Sequence, residues 1–131
     1  MSPAQLLLLG LWGSVLPLRL WLWFSPNTDL NLGPYNLHHL YTGQVLLTLC
    51  LLPLLLRPQN PWRKAQILGL GAGLGLVLDE WVYLIATDGS NAAYWLPVSV
   101  WGAFIALALT SLVIGILSWR NSAPTLSIPP S

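Results

Sequence analysis

The sequence predicts an all-α integral membrane protein, a single four-helix bundle, and three observations predict it. Of the 131 residues, 55% are hydrophobic and only 7% are charged, whereas a soluble domain carries about 25% charged residues. With a mean hydropathy of +0.66, the chain lacks the polar surface that water demands. Four apolar segments, near 4–24, 37–56, 65–86 and 93–119, are separated by "SPNTDLNLGPYN", "RPQNPWRK" and "TDGSNA", each rich in turn formers. A spanning helix needs ~20 residues, and each segment is long enough.

Segment 1 has neither a basic n-region nor an Ala-x-Ala cleavage site, so it reads as a helix rather than a signal peptide. Pro17 is a candidate kink within it. In hydrocarbon every backbone N–H must be paired internally, which leaves helices or a closed barrel. Barrel strands would alternate apolar and polar residues, and these runs do not. One transmembrane domain, 1–119, is therefore expected, followed by a mobile cytoplasmic tail, 120–131.

Orientation follows from the basic residues. Arg57, Arg63 and Lys64 lie in the second connection and Arg120 follows segment 4, while the first and third connections carry Asp29 and Asp88 and no Lys or Arg. The positive-inside rule puts both termini and the second connection in the cytoplasm. Trp21, Trp23 and Trp95 would then mark the outer interface, and Trp62 and Trp119 the inner one. A net charge of +1 offers nucleic acid no basic patch. Cys50 is the only cysteine, which excludes an internal disulfide and reads as a buried, inert thiol.

"LGLVLDEWVYL", residues 74–84, sets Asp79 and Glu80 side by side in an apolar run. Asp79 lies seven residues before Ala86, so ~10 Å below the outer end of its helix at 1.5 Å per residue. His38 and His39 open segment 2, and Arg19 lies five residues before Phe24, ~8 Å deep. Five ionisable side chains from three helices thus share the outer third of the membrane. Tyr83 stands four residues from Asp79 and three from Glu80, within reach of either carboxylate. Tyr41 and Thr42 stand similarly to His38, and Gln44 and Thr48 continue a polar stripe.

"GLGAGLG" does not fit G-x-G-x-x-G, and no strand leads into it, so it offers no dinucleotide site. Gly69/Gly73 and Gly71/Gly75 are small-xxx-small pairs for close helix packing, and Gly43 does likewise on segment 2.

A charge at the centre of a membrane helix costs ~2.5–3.5 kcal/mol on insertion scales, so the carboxylates must be paired, protonated or metal-bound. One reading is an internal ion network built on Arg19 in a non-catalytic scaffold or accessory subunit. A second is a divalent-metal site (Zn²⁺, Mn²⁺ or Fe²⁺) with His38, His39, Asp79 and Glu80 as ligands. There Asp79 or Glu80 would act as general base in hydrolysing a lipid-linked substrate. The adjacent "HH" and "DE" pairs lack the i, i+4 spacing that puts two ligands on one face. A third reading makes the histidines tetrapyrrole ligands or the carboxylates proton carriers.

"LHHLYTG" together with "GLGLVLDEWVYL" resembles a group of uncharacterised prokaryotic multi-pass integral membrane proteins. Their pattern is a His-His-x-x-x-Gly helix followed by a Gly-x-Gly-Leu-x-x-Asp-Glu helix. His38, His39, Gly43, Gly73, Gly75, Asp79 and Glu80 match it. The resemblance spans two of the four helices. It implies that both motifs form one site, and it brings no activity with it. The partners expected are membrane lipid and either a second copy of the chain or another membrane protein.

Overall fold

The computed structural model describes residues 1–25, 31–32, 35–57 and 59–122, with backbone alone for 31, 32, 35, 36 and 122. Asp29 and the tail from 123 onward lie outside the described residues. Four helices, α1 (Pro3–Phe24), α2 (His39–Leu56), α3 (Arg63–Ala86) and α4 (Pro97–Ser122), make up the body. All four are long and apolar enough to cross a membrane.

The helix ends follow local chemistry. Ser2 and Gln5 form a reciprocal capping box at the start of α1, with Pro3 in its first turn, where a missing N–H costs nothing. The fourth segment departs from the 93–119 expected of it. Ala93–Trp95 is a separate 3₁₀ turn and α4 opens at Pro97. Proline favours an extended residue before it, and Leu96 is extended (φ −61°, ψ 147°). At its far end α4 runs on to Ser122, so Arg120 belongs to the last helical turn rather than to a tail. The first connection also holds a two-residue antiparallel pair, β1 (Asn31–Leu32) and β2 (Tyr35–Asn36), with Asn31 opposite Asn36. It is the one element read from sequence only as a turn.

Helix α3 is the centre of the bundle. It packs against α1, α2 and α4; α1 and α4 also touch, whereas α2 packs along no other helix among the described residues. The glycines explain this. Residues two apart on a helix point ~200° apart, so the two interleaved glycine pairs face different neighbours. A Cβ on Gly73 would lie 2.8 Å from the Gly43 carbonyl oxygen of α2, and one on Gly69 would lie 2.5 Å from Cys50 Sγ. Gly71 and Gly75 instead sit against the Leu7 and Leu11 carbonyls of α1. Gly43 returns the contact, since its own Cβ would lie 2.6 Å from the Gly73 carbonyl. Gly10 of α1 and Gly102 of α4 serve in the same way against α3.

Close approach lets small polar groups bridge the backbones. Ser14 donates to Leu11 and Ala72 carbonyls, both at 3.1 Å. Leu11, Val15, Leu78 and Leu107 fill the middle of the α1–α3–α4 contact. Trp12 stacks on Phe104 and donates to Ser111 at 3.0 Å, fixing α1 to α4.

Candidate functional site

The polar residues gather where α1 ends, α2 begins and α3 ends. Asp79 and Glu80 occupy the last third of α3, and both are buried (0% and 4% exposed). Adjacent helical positions diverge by ~100°, and the two carboxylates accordingly meet different sets of donors.

Asp79 ties three elements together. Its Oδ1 accepts from Arg19 Nε of α1 at 2.5 Å. Its Oδ2 faces His39 Nε2 of α2 at 2.9 Å and accepts from the Tyr94 hydroxyl of the 3₁₀ turn. Glu80 turns to the start of α2. Its Oε1 faces His38 Nδ1 and His39 Nδ1, each at 3.2 Å. Its Oε2 accepts the Leu40 backbone N–H at 2.7 Å.

That last bond has a helix-capping meaning. The first N–H groups of a helix have no partner within it. His38 is the N-cap of α2 and its side chain caps nothing. Glu80 does so from the neighbouring helix, and places negative charge at the positive end of the α2 dipole.

Arg19 is buried to 6% exposure. Its Nη1 and Nη2 have no hydrogen-bond partner among the described residues. Aromatic faces take the place of water: the guanidinium carbon lies 4.6 Å from the Tyr94 ring centre, 5.8 Å from Phe104 and 5.9 Å from Trp95. Stacked cations of this kind are held by the ring quadrupole.

Tyr94 is the residue that sequence reasoning missed. No spacing rule links it to Asp79, because it arrives through a turn. The turn is itself built: Ser99 donates to the Ala93 carbonyl at 2.7 Å, and Tyr83 donates to the Gly89 carbonyl at 2.5 Å. Burial, and then the negative charge of Asp79, hold the phenol proton on well above its ordinary range. Tyr94 therefore enters the cluster as a donor. The Leu40 N–H and Phe104 were also absent from the sequence reading, the first because backbone donors leave no trace in residue identity, and Trp95, read there only as an interface marker, also lies beside Arg19.

Two expected members sit elsewhere. Tyr83 is buried, but its hydroxyl goes to the Gly89 and Ser90 carbonyls rather than to Asp79 or Glu80. Its ring packs against His38 and Tyr94. The helical spacing is right, but the hydroxyl reaches past the carboxylates into the connection. Tyr41 is half exposed on the side of α2 away from α3. The polar stripe expected from Thr42, Gln44 and Thr48 is exposed as well, not directed into the bundle. Gly43 must face α3 for close packing, and that turns these residues outward.

His38, His39, Asp79 and Glu80 are thus brought together, with Arg19 beside them. Yet among the described residues no group of three or more His, Cys, Asp or Glu side chains is arranged to hold a metal ion. All four carboxylate oxygens face nitrogen or hydroxyl groups of the protein.

No family model, curated protein or solved structure matches the chain. The site must therefore be read from its own geometry.

Asp88 closes the α3 end of the cluster region without joining it. Its carboxylate accepts the Ser90 N–H at 3.0 Å. Hydrogen bonds from the Ser90 backbone and hydroxyl hold its carboxyl below the usual carboxylate range. Gly89, at φ +73°, makes that turn in the left-handed region glycine allows.

Proposed function

We propose that this chain is a multi-pass protein of a prokaryotic inner membrane with both termini cytoplasmic. In this reading the His38/His39/Asp79/Glu80/Arg19 cluster is a structural ion network near the outer face. The chain then serves as a non-catalytic scaffold or accessory subunit. One observation carries the reading: each oxygen of both buried carboxylates is already engaged by a donor of the protein itself. A catalytic base or an open metal site turns its carboxylate to substrate or ion, whereas these oxygens turn to Arg19, His38, His39, Tyr94 and the Leu40 N–H.

The contacts of His39 support the network reading. It faces Asp79 through Nε2 at 2.9 Å and Glu80 through Nδ1 at 3.2 Å, so one ring bridges both carboxylates. Orientation is supported by Arg57, Arg63, Lys64 and Arg120, all exposed at the end of the bundle opposite the cluster.

Metal content tests the reading. Detergent-purified protein is analysed for metals after incubation with Zn²⁺, Mn²⁺ and Fe²⁺, beside Asp79→Ala and His39→Ala. The expected result is no stoichiometric metal, with both variants less stable than the parent. Near one metal per chain, lost in both variants, would overturn the network reading in favour of a metal-dependent hydrolase of a lipid-linked substrate.

A further inference from the structure

We infer that the free face of α2 is a dimer interface, and that a second copy of this chain covers it, with Gln44 pairing to Gln44. The inference rests on the membrane-spanning reading above. Of the other three helices α2 packs along α3 alone among the described residues, through Gly43 and the residues in register with it. One stripe of α2 outside this contact carries Tyr41, Gln44, Thr48, Leu51 and Leu55, all exposed. Their spacing alternates three and four residues, the heptad seam of a helix pair.

Gln44 makes the face more than a lipid contact. It lies five residues past His39, so about 7.5 Å along the helix from its start and inside the apolar span. Gln66 of α3 accepts from Asn60 at 3.1 Å and Gln5 of α1 accepts the Ser2 N–H at 2.7 Å, while the Thr48 hydroxyl donates to the Gln44 backbone carbonyl at 2.9 Å. The Gln44 side chain has no hydrogen bond among the described residues. In hydrocarbon an amide without a partner is costly, and interhelical bonds from Gln drive helix association.

The choice of occupant follows from symmetry. Two copies inserted in the same orientation pair about a two-fold axis along the membrane normal, so a residue on the seam meets its own counterpart. Only a group that both donates and accepts is satisfied by itself. A carboxamide is such a group: one Gln44 can donate N–H to the other's carbonyl and receive the same in return. The aliphatic residues below it, Leu51 and Leu55, present knobs for the same seam.

The full chain, labelled at its N-terminus with donor or acceptor dye, is reconstituted into phosphatidylcholine–phosphatidylglycerol vesicles. Energy transfer is then followed as lipid dilutes the protein. Flotation of the vesicles first establishes insertion; a chain that fails to co-float overturns the membrane reading and this inference together. Transfer that falls with dilution, and an association weakened roughly tenfold by Gln44→Leu, is the expected result. Leu109→Ala on the exposed face of α4 should leave association unchanged. Gln44 is exposed and its side chain makes no hydrogen bond among the described residues, so Gln44→Leu should unfold like the parent, and matched unfolding of the two shows that the effect is not misfolding. A chain that co-floats but stays monomeric at every dilution overturns the dimer alone. So does a Gln44→Leu variant that associates as tightly as the parent, or a Leu109→Ala variant weakened to the same degree.

Discussion

Asp79 and Arg19 form a pair whose removal should be asymmetric. Asp79→Leu strips the acceptor from three donors at once: Arg19 Nε, His39 Nε2 and the Tyr94 hydroxyl. Arg19 then keeps a buried charge with no acceptor for any of its nitrogens among the described residues, since Nη1 and Nη2 have none there already. Breaking a buried pair in this way costs about 3–5 kcal/mol. Arg19→Met is milder, because Asp79 retains His39 and Tyr94. The loss of one bond to a charged group is about 1.5–3 kcal/mol. The double variant removes both charges of the pair, so its cost should fall short of the sum by roughly 0.5–3 kcal/mol, the range for directly coupled residues. Reversible unfolding in mixed micelles, followed by tryptophan fluorescence, measures all three. The reasoning is refuted if Asp79→Leu costs under about 1 kcal/mol, or if the two substitutions add without coupling.

Three further outcomes follow from particular contacts. Gly73→Ala should destabilise by about 1–3 kcal/mol through overpacking, because its Cβ would lie 2.8 Å from a carbonyl oxygen of α2. Gly13→Ala, with nothing within 4 Å of the added Cβ, should be neutral or gain up to about 1 kcal/mol from helix propensity; thermal unfolding of the two side by side checks the contrast. Glu80→Ala should speed hydrogen exchange of the Leu40 amide and the first turn of α2, while the middle of α3 stays protected, as read by exchange mass spectrometry. Asp88 has a lowered carboxyl pKa in the fold. Its stabilising contribution is therefore present above the ordinary carboxylate range and lost as pH falls through the folded value. Asp88→Ala should flatten the acid limb of a stability–pH profile while leaving the neutral limb's shape unchanged.

Much of the architecture was legible in residue order because lipid-compatible helices are dictated by composition and length. The apolar segments match the four helices to within a few residues, except where Pro97 cuts the fourth short at its start. The meeting of Arg19, His38, His39, Asp79 and Glu80 could be inferred from depth alone, since antiparallel helices bring their ends together. The glycine spacing likewise showed that α3 packs closely. It did not show that Gly69/Gly73 and Gly71/Gly75 serve two different helices.

What the sequence by itself determined, then, is the set of helices and the level at which the charges lie, because both depend on counting residues along one axis. Which direction each side chain takes was decided only by the tertiary structure. Gly43 must press on Gly73, and that rotation turns Tyr41, Gln44 and Thr48 away from the cluster. The turn at Ala93–Trp95 carries Tyr94 onto Asp79 across fifteen residues of chain. Glu80 finds its partner in a backbone N–H at the start of α2. Rotation about a helix axis and the path of a turn are set by packing against neighbours, and packing is written in no single segment.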